Sequence, residues 1–309
     1  MSDTSLTLHY CLAGIFGVLT LATLILCILI KYSPQRNWLE LRQRITSWWV
    51  IISVFALAML SPKWLALSFF AFISFLALKE YLTLTATRRT DNIPLLWLYV
   101  AIPLQYLWAG MSWYGMFLIF IPVYVFLFLP ARAVATGETR GFLHSASVNH
   151  WAMMTTVFAL SHVAYLLMLP SNDGQTGALL VIFLVAATEI NDIAQYLWGK
   201  GFGELKVTPR VSPNKTLAGL LGGVLTTTLL AGILGPFLTP MNALHSLAAG
   251  IIIGFGGFCG DVVMSAIKRD IGVKDCGNLL PGHGGILDRL DSLIYTAPLF
   301  FHFYNYFYG

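Results

Sequence analysis

Long apolar runs separated by short charged stretches occupy the whole chain. They lie near residues 6–30, 47–60, 64–84, 93–111, 113–130, 151–170, 177–197, 216–237, 243–264 and 292–307. Roughly 20 apolar residues suffice for a helix to cross the hydrocarbon core of a bilayer. The pattern therefore predicts an all-α, polytopic integral membrane protein with about nine or ten transmembrane helices. The second and last runs are short, so either is open to a tilted or re-entrant path. Because the runs are continuous instead of alternating at period two, they exclude an outer-membrane barrel. The first run has no basic segment before it and is too long for a cleaved signal, so it is expected to be a spanning helix.

Composition agrees with this pattern. The chain has 309 residues, 57% hydrophobic and only 10% charged, where a soluble domain carries about a quarter charged residues. The net charge of +4 decides little, whereas the placement of the 18 bases decides more. If the spans alternate, one side receives Lys31, Arg36, Arg42, Arg44, Lys79, Arg88, Arg89, Arg132 and Arg140. The same side receives Lys200, Lys206, Arg210, Lys215, Lys268, Arg269, Lys274 and Arg289, and only Lys63 falls opposite. Bases flanking spans mark the cytoplasmic side. The N-terminus is thus expected outside, with charged loops 198–215 and 265–291 in the cytoplasm and a bacterial inner membrane as the setting.

Residues 1–150 read as N-terminal transmembrane helices with little chemistry. Trp38, Trp48 and Trp49 sit among bases as an interfacial anchor would, and Glu80 reads as a charge at the membrane surface. Cys11, Cys27, Cys259 and Cys276 share no close spacing and read as helix-packing residues, not ligands or a redox pair. The scattered histidines read the same way.

Residues 151–309 read as the catalytic half. Asn191 and Asp192 lie near the end of the seventh run, and Pro209 and Pro213 enforce a loop. Ser212, Lys215 and Thr216 follow as phosphate donors, the last two where the eighth helix begins and an anion is welcome. Glycine pairs four apart (Gly219/Gly223, Gly250/Gly254, Gly256/Gly260) predict close helix packing. From Asp261 to Asp291 the chain places five acids and four bases in 31 residues. Asp261, Ser265, Lys268 and Arg269 are spaced to line one helix face. Asp261 is deep enough that a functional role is the default. Gly277, Pro281, Gly282, Gly284 and Gly285 break the helix, and Asp288 and Asp291, three apart, are expected to face the site. Gly284 and Gly285 are expected to offer backbone N–H groups to a phosphate. Paired carboxylates with convergent Lys and Arg suit metal-assisted transfer of a phosphoryl or nucleotidyl group.

The run Ser265-x-Ile267-Lys268-Arg269-x₄-Lys274-Asp275-x-Gly277-x₂-Leu280-Pro281-x-His283-Gly284-Gly285-Ile286-x-Asp288-Arg289-Leu290-Asp291 resembles the signature of the phosphatidate cytidylyltransferase (CDP-diacylglycerol synthase) family. Asn191-Asp192, Tyr196, Gly199, Gly203, Ser212-Pro213, Lys215-Thr216 and Gly219 resemble the same family upstream. The resemblance implies transfer of the cytidylyl group of CTP to phosphatidate, with Mg²⁺ and a possible K⁺ as cofactors, a homodimer, and no nucleic-acid partner. It implies catalytic roles for Asp261, Asp288, Lys268 and Arg269, and metal ligation by Asp261, Asp288, Asp291 and Asp192. Substrate contacts are implied for Asn191, Asp192, Ser212, Pro213, Lys215, Thr216, Ser265, Lys274, Asp275, His283, Gly284, Gly285 and Arg289. The chain departs from the family pattern at Ala218, where many members carry Glu, and at Gln195, where many carry Ala. The alternatives are a cytidylyltransferase or CTP-dependent kinase acting on another lipid, an inactive paralogue, and a transporter.

Overall fold

A computed structural model describes residues 3–35, 37–85, 92–135, 137–169, 176–277, 279, 282 and 284–309. The described residues form ten long helices and one single turn: α1 (Asp3–Tyr32), α2 (Leu39–Leu60), α3 (Lys63–Leu84), α4 (Asn92–Gly110), α5 (Tyr114–Val134), α6 (Phe142–Met168), α7 (Thr176–Phe202), α8 (Leu217–Leu238), α9 (Ala243–Ile271), α10 (Leu287–Leu290) and α11 (Leu293–Tyr308). Each long helix corresponds to one apolar run of the sequence. Eight of them (α1–α3 and α5–α9) are long and apolar enough to cross a membrane. The apolar part of α4, Leu95–Gly110, and the 16-residue α11 are shorter. The chain is an all-α, multi-pass membrane protein.

The exposed faces confirm the solvent these helices are built for. Val18, Leu21, Leu24 and Ile28 on α1, and Leu221, Leu225, Leu229 and Ile233 on α8, are all more than half exposed. Such stripes are unfavourable in water and neutral against lipid tails. The inward faces form one apolar core that includes Leu78, Phe117, Leu180, Ile253, Phe300 and Phe301. α5 and α6 each widen into π-helical turns, at Phe120–Val125 and Met153–Ala159.

α7, α8 and α9 share the most extensive contacts, and the glycines expected to permit this do so. A Cβ on Gly254 would lie 2.9 Å from the Val224 Cα, and one on Gly250 2.6 Å from the Thr228 Cα. On α8, a Cβ at Gly223 would lie 2.4 Å from the Gln195 Cγ. The approach is locked by Asn191, wholly buried, which donates to the Gly254 carbonyl (3.3 Å) and accepts from the Thr227 hydroxyl (3.3 Å). α9 stops at Gly272, whose left-handed φ of 81° lets the Gly272 and Val273 N–H groups close back onto the Arg269 and Lys268 carbonyls, an ending only glycine adopts without strain.

Candidate active site

Four helix ends meet at one end of the bundle: the C-termini of α3, α7 and α9 and the N-terminus of α8. The chain between α9 and α11 threads among them. The excursion joining α7 to α8 is pinched shut by backbone pairing between Lys206 and Thr216. Inside it the Ser212 carbonyl accepts the Lys215 N–H (3.1 Å). Thr216 caps α8 by accepting the Gly219 N–H (3.0 Å) and is almost fully buried. Its oxygen thus serves the helix start. Ser212 is half-buried in the turn, and Pro213 is exposed.

This excursion delivers Lys215 to Asp261, with which it forms a close ion pair, and to the Gln195 side-chain oxygen (3.0 Å). The ammonium also stands 5.6 Å over the Phe258 ring. Ser265, one turn beyond Asp261, donates to it (3.3 Å). Across from Asp261 stand Asp192, which accepts from the Ser292 hydroxyl (3.0 Å), and Asp291. Burial, first, and then the Asp261 and Asp192 carboxylates push the Asp291 carboxyl up to about 7, against the pull of Lys268. Glu189, one turn before Asp192, lies within electrostatic reach of Arg289 and Asp291. Acids crowded under partial burial, with their charge incompletely offset, form a seat that a hard divalent cation fits.

Asp288 faces another way. Its Oδ1 accepts from Lys268 (2.9 Å), and its Oδ2 accepts the N–H groups of Cys276 (2.8 Å) and Gly285 (2.9 Å). Burial alone would raise this carboxyl, but the Gly285 N–H, the Lys268 ammonium and the Cys276 N–H together hold it below the usual aspartate value. Gly284, at a left-handed φ of 80°, lets the turn close: a Cβ there would lie 2.7 Å from the Asp288 Oδ2. The geometry corrects the expectation that Gly285 offers its N–H to a phosphate. That N–H belongs to Asp288, and the next two belong to Glu80 of α3, whose Oε2 and Oε1 accept from Ile286 (2.9 Å) and Leu287 (3.1 Å). Asp288 and Asp291, three apart on helical backbone that runs on through Ser292, make different contacts: Asp288 accepts from Lys268, and Asp291 accepts the Ser292 N–H. Lys268, which lies near both, bridges the two groups of acids.

Glu80 is thus more than a charge at the membrane surface, while Cys276 is a buried thiol packed beside it. With Asp288 they place ligand-type atoms within 4.8 Å of one another. Burial, first, and then the Asp288 charge push the Cys276 thiol up to about 12. Four backbone N–H groups and one ammonium already occupy the two carboxylates, so the trio closes the loop instead of offering open ligands. Asn191 holds helices together, as described above, instead of facing the cluster. Of the remaining expected residues, Arg269 is exposed and donates to the Val211 carbonyl (3.4 Å) across the two loops. Lys274, Asp275 and Arg289 are exposed. His283 lies outside the described residues.

Fold and site define a class: a multi-pass helical membrane protein whose carboxylates and lysines converge at one end of the bundle, beside its lipid-facing surface. The cytidylyltransferase family model matches residues 42–307, most of the chain, and the chain belongs to that family. It is 56% identical over 295 residues to the uncharacterized protein YnbB of Escherichia coli (strain K12), covering 96% of this chain and 97% of that one. A phosphatidate cytidylyltransferase of Staphylococcus epidermidis (strain ATCC 35984) is 37% identical over 157 residues, 50% of this chain and 60% of that one. One of Synechocystis sp. is 43% identical over 130 residues, 41% of this chain and 44% of that one. The chain thus matches less than two thirds of either enzyme's length.

Proposed function

We propose that this protein transfers the cytidylyl group of CTP to phosphatidate, giving CDP-diacylglycerol and pyrophosphate at the cytoplasmic face of a bacterial inner membrane. The observation that carries the reading is the pairing of Lys215 with Asp261, which ties the charged loop before α8 to the charged end of α9 in a cytidylyltransferase-family chain, at a helix end where a lipid head group can arrive. The positive-inside pattern of bases supports the cytoplasmic side.

An oxygen of the lipid phosphate attacks the α-phosphorus of CTP, and the bond from that phosphorus to the bridging oxygen of the β-phosphate breaks. Pyrophosphate leaves with the electron pair. The attacking oxygen is already anionic, so no strong base is needed and catalysis is positioning and charge stabilisation. Asp192, Asp261 and Asp291 would hold Mg²⁺, which when bound neutralises phosphate charge and polarises the reacting phosphorus. Lys215, which pairs with Asp261, would offer its ammonium to phosphate oxygens. Arg269 and Arg289, both exposed at the loop edge, offset the charge of the departing pyrophosphate. Lys268 keeps Asp288 and the loop behind it in place.

Purified protein in mixed micelles with phosphatidate is supplied with CTP labelled at either the α- or the γ-phosphorus. The reading expects α-label in the lipid and γ-label in pyrophosphate. Label from the γ-position in the lipid would make the protein a kinase, and no lipid label with any lipid phosphate would remove the activity altogether. Asp261→Asn is expected to abolish transfer while leaving the protein monodisperse in detergent, and near-normal turnover in that variant would contradict the assignment.

A further inference from the structure

The acid that carries the loop of the site belongs to the other half of the chain. Glu80 stands in the last turn of α3, which is fixed from behind by buried Phe70, Ala77, Leu78 and Tyr81 and packs on α4 and α6. Its two carboxylate oxygens accept successive backbone N–H groups, from Ile286 and Leu287, more than 200 residues further along the chain. Two glycines flank it closely, so a side chain at Gly285 would displace the carboxylate and one at Gly277 would press on it. A Cβ on Gly285 would lie 2.0 Å from Oε1, and one on Gly277 3.0 Å from Oε2. One link away, the same turn presents the Gly285 N–H to Asp288, which holds Lys268.

We propose that Glu80 is a positioning residue of the transfer site. It suspends the 284–288 turn from the rigid end of α3 and so fixes Asp288 and, through it, the Lys268 ammonium. A neutral residue there could not satisfy two N–H groups with comparable strength, because hydrogen bonds to an ionised acceptor are about twice as strong as neutral ones. In its consequence for turnover the inference rests on the cytidylyl-transfer reading; in its consequence for the loop it does not.

The test uses the full chain in detergent, with two readouts. One is the rate at which a maleimide labels Cys276, which is buried behind the same turn, read on its peptide by mass spectrometry. The other is kcat and KM for CTP in transfer to phosphatidate. Glu80→Ala is expected to label at least about tenfold faster and to lose about 100-fold in kcat, the scale of a roughly 1 Å misplacement at a reacting centre. KM for CTP is expected to change far less. Glu80→Gln, which keeps one acceptor oxygen in place, is expected to restore part of both. Gly285→Ala, which displaces the carboxylate from the loop side, is expected to reproduce Glu80→Ala, and the double variant to be no worse than either single one. Glu40→Gln, at the exposed Arg44 pair, controls for a change of charge near the same end and is expected to be silent. Wild-type labelling and kcat in Glu80→Ala would overturn the proposal. If that variant does not fold, normal kcat in Gly285→Ala overturns it instead. Should the wild type transfer nothing, the functional reading fails, and labelling alone decides the role of Glu80.

Discussion

Replacing Lys268 with methionine removes one half of a pair that the bundle shields well. The Lys268 Nζ lies 2.9 Å from the Asp288 Oδ1, with the side chains 13% and 5% exposed. Removing one partner of a buried pair costs about 3–5 kcal/mol, because the other charge is stranded. Asp288 keeps the Cys276 and Gly285 N–H groups, which places the cost at the lower end, about 3 kcal/mol. The cost falls on local opening of the segment at Cys276 and 284–288 more than on the bundle, so it is best read locally. Cys276 is buried in that segment, and its thiol ionises only near 12 while the segment is closed. Labelling at pH 8 therefore proceeds through the open form, and its rate follows the opening equilibrium. A cost of about 3 kcal/mol corresponds to labelling about a hundredfold faster. Asp288→Asn added to Lys268→Met removes the stranded charge and is expected to recover much of the loss, so the two changes are strongly non-additive. Labelling within about threefold of wild type in Lys268→Met, or effects that simply add in the double variant, would refute the claim that this pair holds the loop.

Two further outcomes follow from the same region. The Cys276 thiol is neutral to about 12 when folded but titrates near 8.5 when unfolded. Its contribution to stability is thus fully present below the unfolded value and is lost as pH rises from there toward 12. Cys276→Ala is expected to flatten the alkaline fall of the melting temperature between about pH 8.5 and 11, and an unchanged slope would contradict the burial argument. Gly260→Ala would set a Cβ 2.4 Å from the Asp291 carbonyl oxygen, an overpacking that costs about 1–3 kcal/mol and displaces the turn carrying Asp291. Transfer is expected to fall sharply, whereas Gly14→Ala, with nothing within 4 Å, is expected to be neutral; equal behaviour of the two would remove the packing account.

Periodicity made the helices legible, because a spanning helix must satisfy its own backbone and announces itself as a long apolar run. The close approach of α8 and α9 was legible in the Gly250/Gly254 spacing for the same local reason. The partners of Asp288 were not, because the Lys268 ammonium and the Cys276 N–H come from 20 and 12 residues earlier in the chain. The relevant signal is Gly285-x-x-Asp288, whose spacing lets a side chain reach back to the N–H three residues before it, as the acid of a capping box does. Asn191 shows the same limit from the other side: a polar residue beside Asp192 looks like part of the site, and only the third helix across from it, at Gly254, reveals a packing role.

Glu80 marks where a reading along the chain ends. An acid in the last turn of an apolar helix has an ordinary explanation in the nearby interface, and nothing local distinguishes one that meets water from one that meets buried N–H groups. The distinguishing information lies in Gly277 and Gly285, which read as loop breakers until α3 is seen to occupy the space their missing side chains leave. The consequence reaches beyond this one residue. α3, from the half that offers little chemistry in sequence, holds the turn that carries Asp288. The first helices are therefore more than a membrane anchor: they supply a rigid frame against which the charged turn is set. Substitutions at the end of α3 should then alter turnover without touching any group that meets a nucleotide.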